Sequence, residues 1–593
     1  MFSRLALAVT LAGAAAPAFG ATFESLADFD ATKAYDFIIV GAGAGGSTTA
    51  NRLSENPDFS VLLVEAGGAN DGDITVDVPL LCTRLTPNTL YDWNYTTTAQ
   101  PGLNNRVVPF PTGIGLGGST TVNCLVYTRG SKNDIDAWAE LSGDDGWSWD
   151  NMLQYFKKSE RYNDPRDGHD ATGQYLPEFH SRDGVIGVSV PGYPYAIDKR
   201  VMATTEQLEE FPFREDMNSG EQTGIGYVQA LVLDGKRSSA KDHLTGPAAS
   251  RDNLDILLHT RVSRVTSDGS SSDGETLSFN NIEVSSANGG DVQTLTASKE
   301  VILSAGAVGT PNILLHSGIG EAAFLESLNI DVLVDLPSVG KNLTDHIGVS
   351  TTYIVNETDT LDSVVRNETL FNYWLDQWKA NQTGMFVDTS ENHAAFLRIA
   401  DNSSLWESYE DPSSGPLTAH YEWIFQSGLS SYTEEGNYIN LPAACVSPLS
   451  RGNVSINTTD PFAPPLVNPN LLAEELDMKI VREAIRAGRR FFAAPAWDGV
   501  VLGELNNNAE SDEDLEDYIR NNAVSFFHPV STSSMSPVDA DYGVTNPDLT
   551  VKKVKGLRIV DAGVIPRLPA AHTSASTYAL AERAADLIKA AYA

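Results

Sequence analysis

Two unbroken apolar runs stand near the start of the chain, Phe37–Val40 and Val61–Val64, separated by small and polar residues. Runs of this length read as buried strands. The first empties into Gly41-Ala42-Gly43-Ala44-Gly45-Gly46, and the Ala/Ser/Thr-rich stretch to Leu53 suits a helix. The second ends on Glu65. Strand, G-x-G-x-x-G, helix, strand and terminal acid within about 30 residues predict a βαβ dinucleotide-binding unit. Gly41 allows the tight turn, Gly43 lets backbone approach a pyrophosphate, and Gly46 lets the helix pack close to the strand. Free N–H groups and the dipole at the helix start attract phosphate. Glu65 is placed to accept hydrogen bonds from a ribose diol. The unit by itself does not separate FAD from NAD.

Further along, Pro111–Asn123 is dense in glycine, which leaves backbone N–H groups uncovered to lie along a cofactor. Residues 135–158, with Trp138, Trp147, Trp149 and Tyr155, predict helix with a packed aromatic face. Residues 160–190 read as loop, and 225–265 as alternating strands. Lys299–Gly306 repeats the strand-into-glycine theme. Pro311 marks a helix start and Gly318 and Gly320 follow its end. Residues 350–520 lack a glycine motif and are rich in aromatics, which points to a separate substrate-side region. An amphipathic helix is expected over 472–495. A strand ends on Asp561, and a closing helix covers 573–590. No repeat of domain-building length is present.

The chain has 593 residues and is 41% hydrophobic, enough for several domains or one large fold with a sizeable core. Its net charge of −38 repels phosphate backbones and anionic membranes, so neither nucleic acid nor a membrane is an expected partner. Residues 1–20 read as a secretory signal peptide. Arg4 supplies the positive end, Leu5–Ala16 the apolar region and Ala18-Phe19-Gly20 the cleavage site. The run is shorter than the roughly 20 apolar residues that a membrane span requires. Eight N-x-S/T sequons, at Asn94, Asn342, Asn356, Asn367, Asn381, Asn402, Asn453 and Asn457, agree with a soluble, secreted, extracellular glycoprotein. Three cysteines, Cys82, Cys124 and Cys445, permit at most one disulfide. No metal-ligand spacing and no serine elbow stands out.

Gly115–Asn123, Gly306–Pro311 running on to Gly320, Val339–His346 and the strand ending on Asp561 follow the first glycine motif in order. Together they resemble the glucose-methanol-choline (GMC) family of FAD oxidoreductases, over essentially the whole mature chain. Within that family the chain is most similar to the aryl-alcohol oxidase group. Asp92–Gln100, Phe527-His528-Pro529-Val530 and the pairing of His528 with His572 carry that likeness. Two positions depart from it. Ile114 stands where a basic residue or Asn is usual, and Cys124 stands where aryl-alcohol oxidases place a tyrosine that grips the aromatic substrate.

The resemblance implies an α/β fold of GMC type. A discontinuous, Rossmann-like FAD-binding domain would cover 33–150, 225–345 and 525–593. A substrate-binding domain with a sheet and helices would cover 151–224 and 346–524. It implies FAD held by Gly41, Gly43, Gly46, Glu65, Gly117, Gly118, Ser119, Asn123, Cys124, Val262, Ala305, Asp561 and Ala562. Relatives with covalent flavin carry a histidine where this chain has Val122, Asn123 and Cys124, so the FAD is expected to be non-covalent, with the Cys124 thiol as the one conceivable attachment atom. Alcohol oxidation removes a hydroxyl proton and a hydride from one carbon, and histidine, with a reference pKa of about 6.5, suits the proton step. His528 is the expected base, His572 the partner that hydrogen-bonds the hydroxyl, and Phe527 a substrate contact. The implied activity is oxidation of primary aryl or allylic alcohols to aldehydes, with dioxygen reduced to hydrogen peroxide. A quinone-reducing dehydrogenase and a hydroxynitrile lyase of the same fold are the alternatives. A monomer is expected.

Overall fold

A computed structural model describes residues 20–593 except 268, 270–275, 288, 430–434, 506 and 508. All of the expected signal peptide but Gly20 lies outside the described residues. The first apolar run becomes strand Tyr35–Val40, with Val61–Val64 parallel on one side and Gln293–Leu303 parallel on the other. Ile38 stands opposite both Leu62 and Val301, and all three are fully buried. Parallel strands covered on both faces read as continuous apolar runs rather than alternating ones, which is why these two were visible. Leu254–Leu257 and Leu557–Ile559 extend the parallel core, Asn281–Ser286 and Thr260–Thr266 add an antiparallel pair, and Thr22–Phe23 closes one edge of the eight-stranded sheet. Helix α1 (Ala44–Leu53) connects the first two strands.

A second sheet is antiparallel throughout. Its strands run in the order Val501–Glu504, Ile347–Val355, Tyr438–Cys445, Tyr421–Gln426, Glu391–Leu397 and Gly224–Tyr227, with Val524–Ser525 beside Ile347–Val355. In Tyr421–Gln426, Trp423 and Phe425 pack against Phe491 of the amphipathic helix Glu475–Phe492. Side chains alternate along a strand, so Glu422, Ile424 and Gln426 face the opposite way. Two sequence boundaries move. Gly224–Tyr227 belongs to this second sheet, and Thr22–Phe23 to the first although it precedes residue 33. Strands of two to four residues carry too little periodicity to be assigned before their pairing is known.

Three other local expectations change. Residues 135–158 form two helices, Lys132–Ser142 and Trp149–Ser159, because Gly143 at φ +74° caps the first in the left-handed region. The loop expected over 160–190 contains a parallel pair of short strands, Glu160–Tyr162 and Ile186–Val188. Helix α2 (Gly306–His316) starts five residues before Pro311, which therefore lies inside it. Proline cannot donate to the carbonyl four residues back. Here that carbonyl, on Ala307, accepts instead from the Thr532 hydroxyl at 2.7 Å. The closing helix, α3 (Thr573–Ala591), runs where expected. Cys82 and Cys124 form a disulfide and Cys445 is buried and free. Among the described residues no helix is long and apolar enough to cross a membrane.

Candidate active site

Three segments distant in sequence meet at the C-terminal ends of the parallel strands. Gly41 has φ +98°, and a Cβ there would lie 2.6 Å from the Ser304 carbonyl oxygen. A Cβ on Gly118 would lie 2.8 Å from Gly43 Cα, and the Gly117 N–H donates to Ala42 O at 2.9 Å. Gly43 itself faces open space, since a Cβ there would meet nothing within 4 Å. It also precedes α1 without any side-chain cap. A Cβ on Gly306, at the start of α2, would also meet nothing, and there the Gly306 N–H is taken by Asp561. Ser304 Oγ is buried without a hydrogen-bond partner. The uncapped start of α1 beside open backbone forms a cradle for anionic groups, and the residues present fit the pyrophosphate of a dinucleotide such as FAD.

The structure gives several expected cofactor residues other partners. Glu65 is held by backbone amides. Its Oε2 accepts the Ala42 N–H at 2.8 Å, and its Oε1 accepts from Gly67 and Gly115 at 2.8 and 2.9 Å. Burial raises its pKa, and these amides pull it back. The carboxylate thus ties the first glycine loop to the second. Asp561 does the same for α2. Its Oδ2 accepts from Gly306 N–H and the Thr310 hydroxyl at 3.0 and 2.6 Å, while Oδ1 accepts from Gly563 N–H at 2.8 Å. Burial pushes its pKa up to about 6. Ala305 and Ala562 flank it, both partly exposed. Gly46 is packed onto the sheet, Ser119 Oγ accepts from Gly113 N–H at 3.1 Å, and Val262 is a core residue paired with Val284. The Cys124 sulfur, the one conceivable attachment atom, is spent in the disulfide with Cys82.

Asn123 is held by a residue that the sequence did not point to. Arg237 Nη1 donates to its carbonyl at 2.7 Å and to its Oδ1 at 2.9 Å, and Arg237 Nε donates to Val76 O at 2.9 Å. The guanidinium is buried, and burial lowers its pKa to about 9. Lys236-Arg237 lies among small polar residues, with no spacing to mark it. Replacing Arg237 by Met strands the Asn123 carbonyl and Oδ1 without their donor. The expected result is a lower thermal midpoint and easier loss of flavin, read by differential scanning fluorimetry and flavin release.

The two expected catalytic histidines come together. His528 follows strand Val524–Ser525, and its N–H donates to Asp345 Oδ1 at 2.8 Å. His572 precedes α3, and its N–H donates to Thr128 Oγ1 at 2.8 Å. Their ring centroids are 4.5 Å apart, with planes at 62°. The electrostatic settings of the two rings differ. His528 is pushed well below its usual pKa, first by burial and then by His572 and His346. His572 Nε2 lies 2.8 Å from Oε1 of Glu422, whose side chain is fully buried and whose Oε2 has no partner. Glu422 was missed, and its one signal is an acid among the apolar residues of Tyr421–Gln426. Burial raises the pKa of Asp345 to about 7, against hydrogen bonds from Ser525 and the backbone of His528 and His346. Phe527 is 45% exposed at φ +63°, so it does not fill core.

Known proteins agree with this architecture. GMC oxidoreductase family models match residues 35–348 and 448–581. Pyranose dehydrogenase 3 of Leucoagaricus meleagris is 35% identical over 96% of this chain and 96% of its own length. A variant of Aspergillus oryzae formate oxidase, studied for FAD modification, superposes with a TM-score of 0.86 at 29% identity, covering 95% of this chain and 99% of its own. A fungal aryl-alcohol oxidase superposes with a TM-score of 0.82 at 27% identity, covering 94% and 99%. With its α/β fold, its glycine cradle and its facing histidines, the chain belongs to the GMC oxidoreductase family.

Proposed function

We propose that the protein is a secreted, FAD-dependent alcohol oxidase that converts primary aryl or allylic alcohols to aldehydes and reduces dioxygen to hydrogen peroxide. The observation that carries this reading is the pair of imidazoles 4.5 Å apart, one bonded through its ring to Glu422 and the other to His346. Bound FAD supplies the hydride acceptor. His528, kept neutral by burial, takes the hydroxyl proton on Nε2. Glu422, accepting from His572 Nε2, balances positive charge on that ring and leaves its Nδ1 side for the alcohol oxygen. His572 thereby favours the alkoxide that develops as the proton leaves.

The aryl type is supported by likeness to the fungal aryl-alcohol oxidase and by exposed Phe527 beside the base. Likeness to a pyranose dehydrogenase favours a second reading, in which sugars are oxidised and a quinone takes the electrons. Non-covalent FAD is supported by the loss of the Cys124 thiol to the disulfide. Secretion is supported by the leader-like N-terminus and by sequon asparagines that are exposed at seven of eight sites, Asn453 being half-buried. A monomer is part of this reading.

The test is anaerobic mixing of FAD-loaded protein with benzylic, allylic, furanic and sugar alcohols, then exposure to dioxygen or quinone. Bleaching by benzylic or allylic alcohols followed by peroxide formation supports the oxidase. Bleaching by sugars with reoxidation by quinone alone supports the second reading. Flavin that stays yellow throughout points to the lyase. Glu422→Gln removes the charge behind His572. A hydrogen bond to a charged group contributes about 1.5–3 kcal/mol, so flavin reduction is expected to slow by about 10–100-fold with FAD retained, as read by stopped-flow absorbance.

A further inference from the structure

The Val339–His346 motif plays no part in the chemistry above, yet its last two residues both hold His528. The chain from Thr344 to Ile347 is zipped to the chain from Ser525 to Val530. Thr344 and Val530 exchange backbone hydrogen bonds, Phe526 N–H donates to His346 O at 3.0 Å, and Ile347 pairs with Ser525. Asp345 accepts the His528 backbone N–H, and its other oxygen accepts from the Ser525 hydroxyl. His346, fully buried, meets the His528 ring edge-on, with planes at 87° and Nδ1 to Nδ1 at 3.0 Å.

A contact of 3.0 Å between two ring nitrogens holds one proton, and its owner decides what His528 can do. If His346 Nδ1 were the donor, its Nε2 would be a bare lone pair. That nitrogen is buried without a hydrogen-bond partner, and the ring lies near the carbonyls of Pro569 and Val446. A lone pair among carbonyl oxygens is repelled, whereas an N–H there is attracted. His346 is thus the Nε2–H tautomer, and its Nδ1 accepts from His528 Nδ1–H. His528 then carries its lone pair on Nε2, the nitrogen without a protein partner among the described residues.

We propose that His346 is a positioning residue that fixes the His528 tautomer, so that Nε2 alone is the basic atom. The proposal rests on the reading of His528 as the base. Once Nε2 takes the proton, Nδ1–H still donates to His346, so the imidazolium loses no hydrogen bond. The charged and titratable groups facing His528 are Asp345 and His346 ahead of strand Ile347–Val355, and His572 with Glu422 behind it. None of the others offers an acceptor to Nδ1.

Two measurements on the FAD-loaded protein test this. In ¹⁵N-histidine NMR, with His528 assigned by its loss in His528→Ala, the expected signature is a protonated Nδ1 and an unprotonated Nε2. An unprotonated Nδ1 overturns the proposal, and this readout needs no His346 variant to fold. In stopped-flow reduction, His346→Leu is expected to lower the rate constant about tenfold, the net size of one hydrogen bond, without changing half-saturation by the alcohol. His346→Asn, whose Oδ1 can accept in the same place, is expected to restore most of the rate. An unchanged rate in His346→Leu, or a purely KM effect, overturns the proposal. Failure of the underlying reading looks different, because His528→Ala would then reduce flavin at the wild-type rate while the tautomer stayed as stated.

Discussion

His528→Ala slows flavin reduction by an alcohol by about 10²–10⁴-fold, the usual contribution of a positioned general base, and leaves FAD bound. The separation of the two effects follows from the geometry. The cradle is built from Gly41–Gly46, Gly115–Gly118 and Ser304–Gly306, held by Glu65 and Asp561. No hydrogen bond or ring contact joins His528 to these residues; it is bonded to Asp345 and His346, and its ring meets those of Phe526, His346 and His572. The strongest contact to its backbone, the N–H donated to Asp345, survives in alanine. His572 remains beside Glu422, so stabilisation of the alkoxide persists while the proton acceptor is gone. The pH profile carries a sign. The His528 pKa lies well below the ordinary value, so the neutral, basic form persists as pH falls through 6.5. Protonation of His528 is therefore expected to slow flavin reduction only on the acid side, and any dependence in the neutral range to come from Asp345, whose pKa burial raises to about 7. Stopped-flow absorbance from mildly acidic to mildly alkaline buffer reads both results.

Gly46→Val yields protein that carries no flavin. A Cβ at Gly46 would lie 1.9 Å from Gly41 O and 3.2 Å from Ser304 Cβ. Gly41 and Ser304 leave adjacent parallel strands, hydrogen-bonded to each other through Ser304 N–H and Val40 O at 2.8 Å. Neither can yield without opening the central sheet. Neighbouring Gly45 is confined in the same way, its Cβ position 2.0 Å from Val560 O. The first turn of α1 must lift away, and the amides that face the anion go with it. Gly43→Ala is the contrast. Its φ is −75° and the added methyl meets no protein atom within 4 Å, so the fold is expected to stand. The methyl enters the open space instead, so FAD affinity falls while the thermal midpoint of the flavin-free protein does not. Visible absorbance and thermal unfolding distinguish the two variants.

Local features of this site were legible in the sequence and nonlocal ones were not. Gly41–Gly46 sits between two apolar runs whose lack of alternation already marks buried parallel strands. His528 and His572 were located by resemblance, and the structure brings them to 4.5 Å. Their supporting residues were hidden for a shared reason: each acts through a contact formed only by the complete fold. Glu422 is 150 residues from His572, and Arg237 is 114 residues from Asn123. Glu65 carried the right signature, but its partners are backbone amides, which have no sequence signature. Three cysteines allow three pairings, and nothing local selects Cys82 with Cys124. Pro311 misled because proline is commonest in a first helical turn; its place inside α2 is explained by a hydroxyl more than two hundred residues away, on Thr532.

The central claim is that this protein takes a proton and a hydride from one alcohol carbon, with the proton going to His528. The most direct measurement is anaerobic stopped-flow bleaching of the FAD-loaded protein by a benzylic alcohol and by the same alcohol deuterated at the carbinol carbon. The account predicts that the flavin bleaches, that deuteration slows the bleaching, and that His528→Ala slows it further without releasing FAD. Flavin that stays oxidised with every alcohol offered, or bleaching that is indifferent to both deuterium and His528, would contradict it.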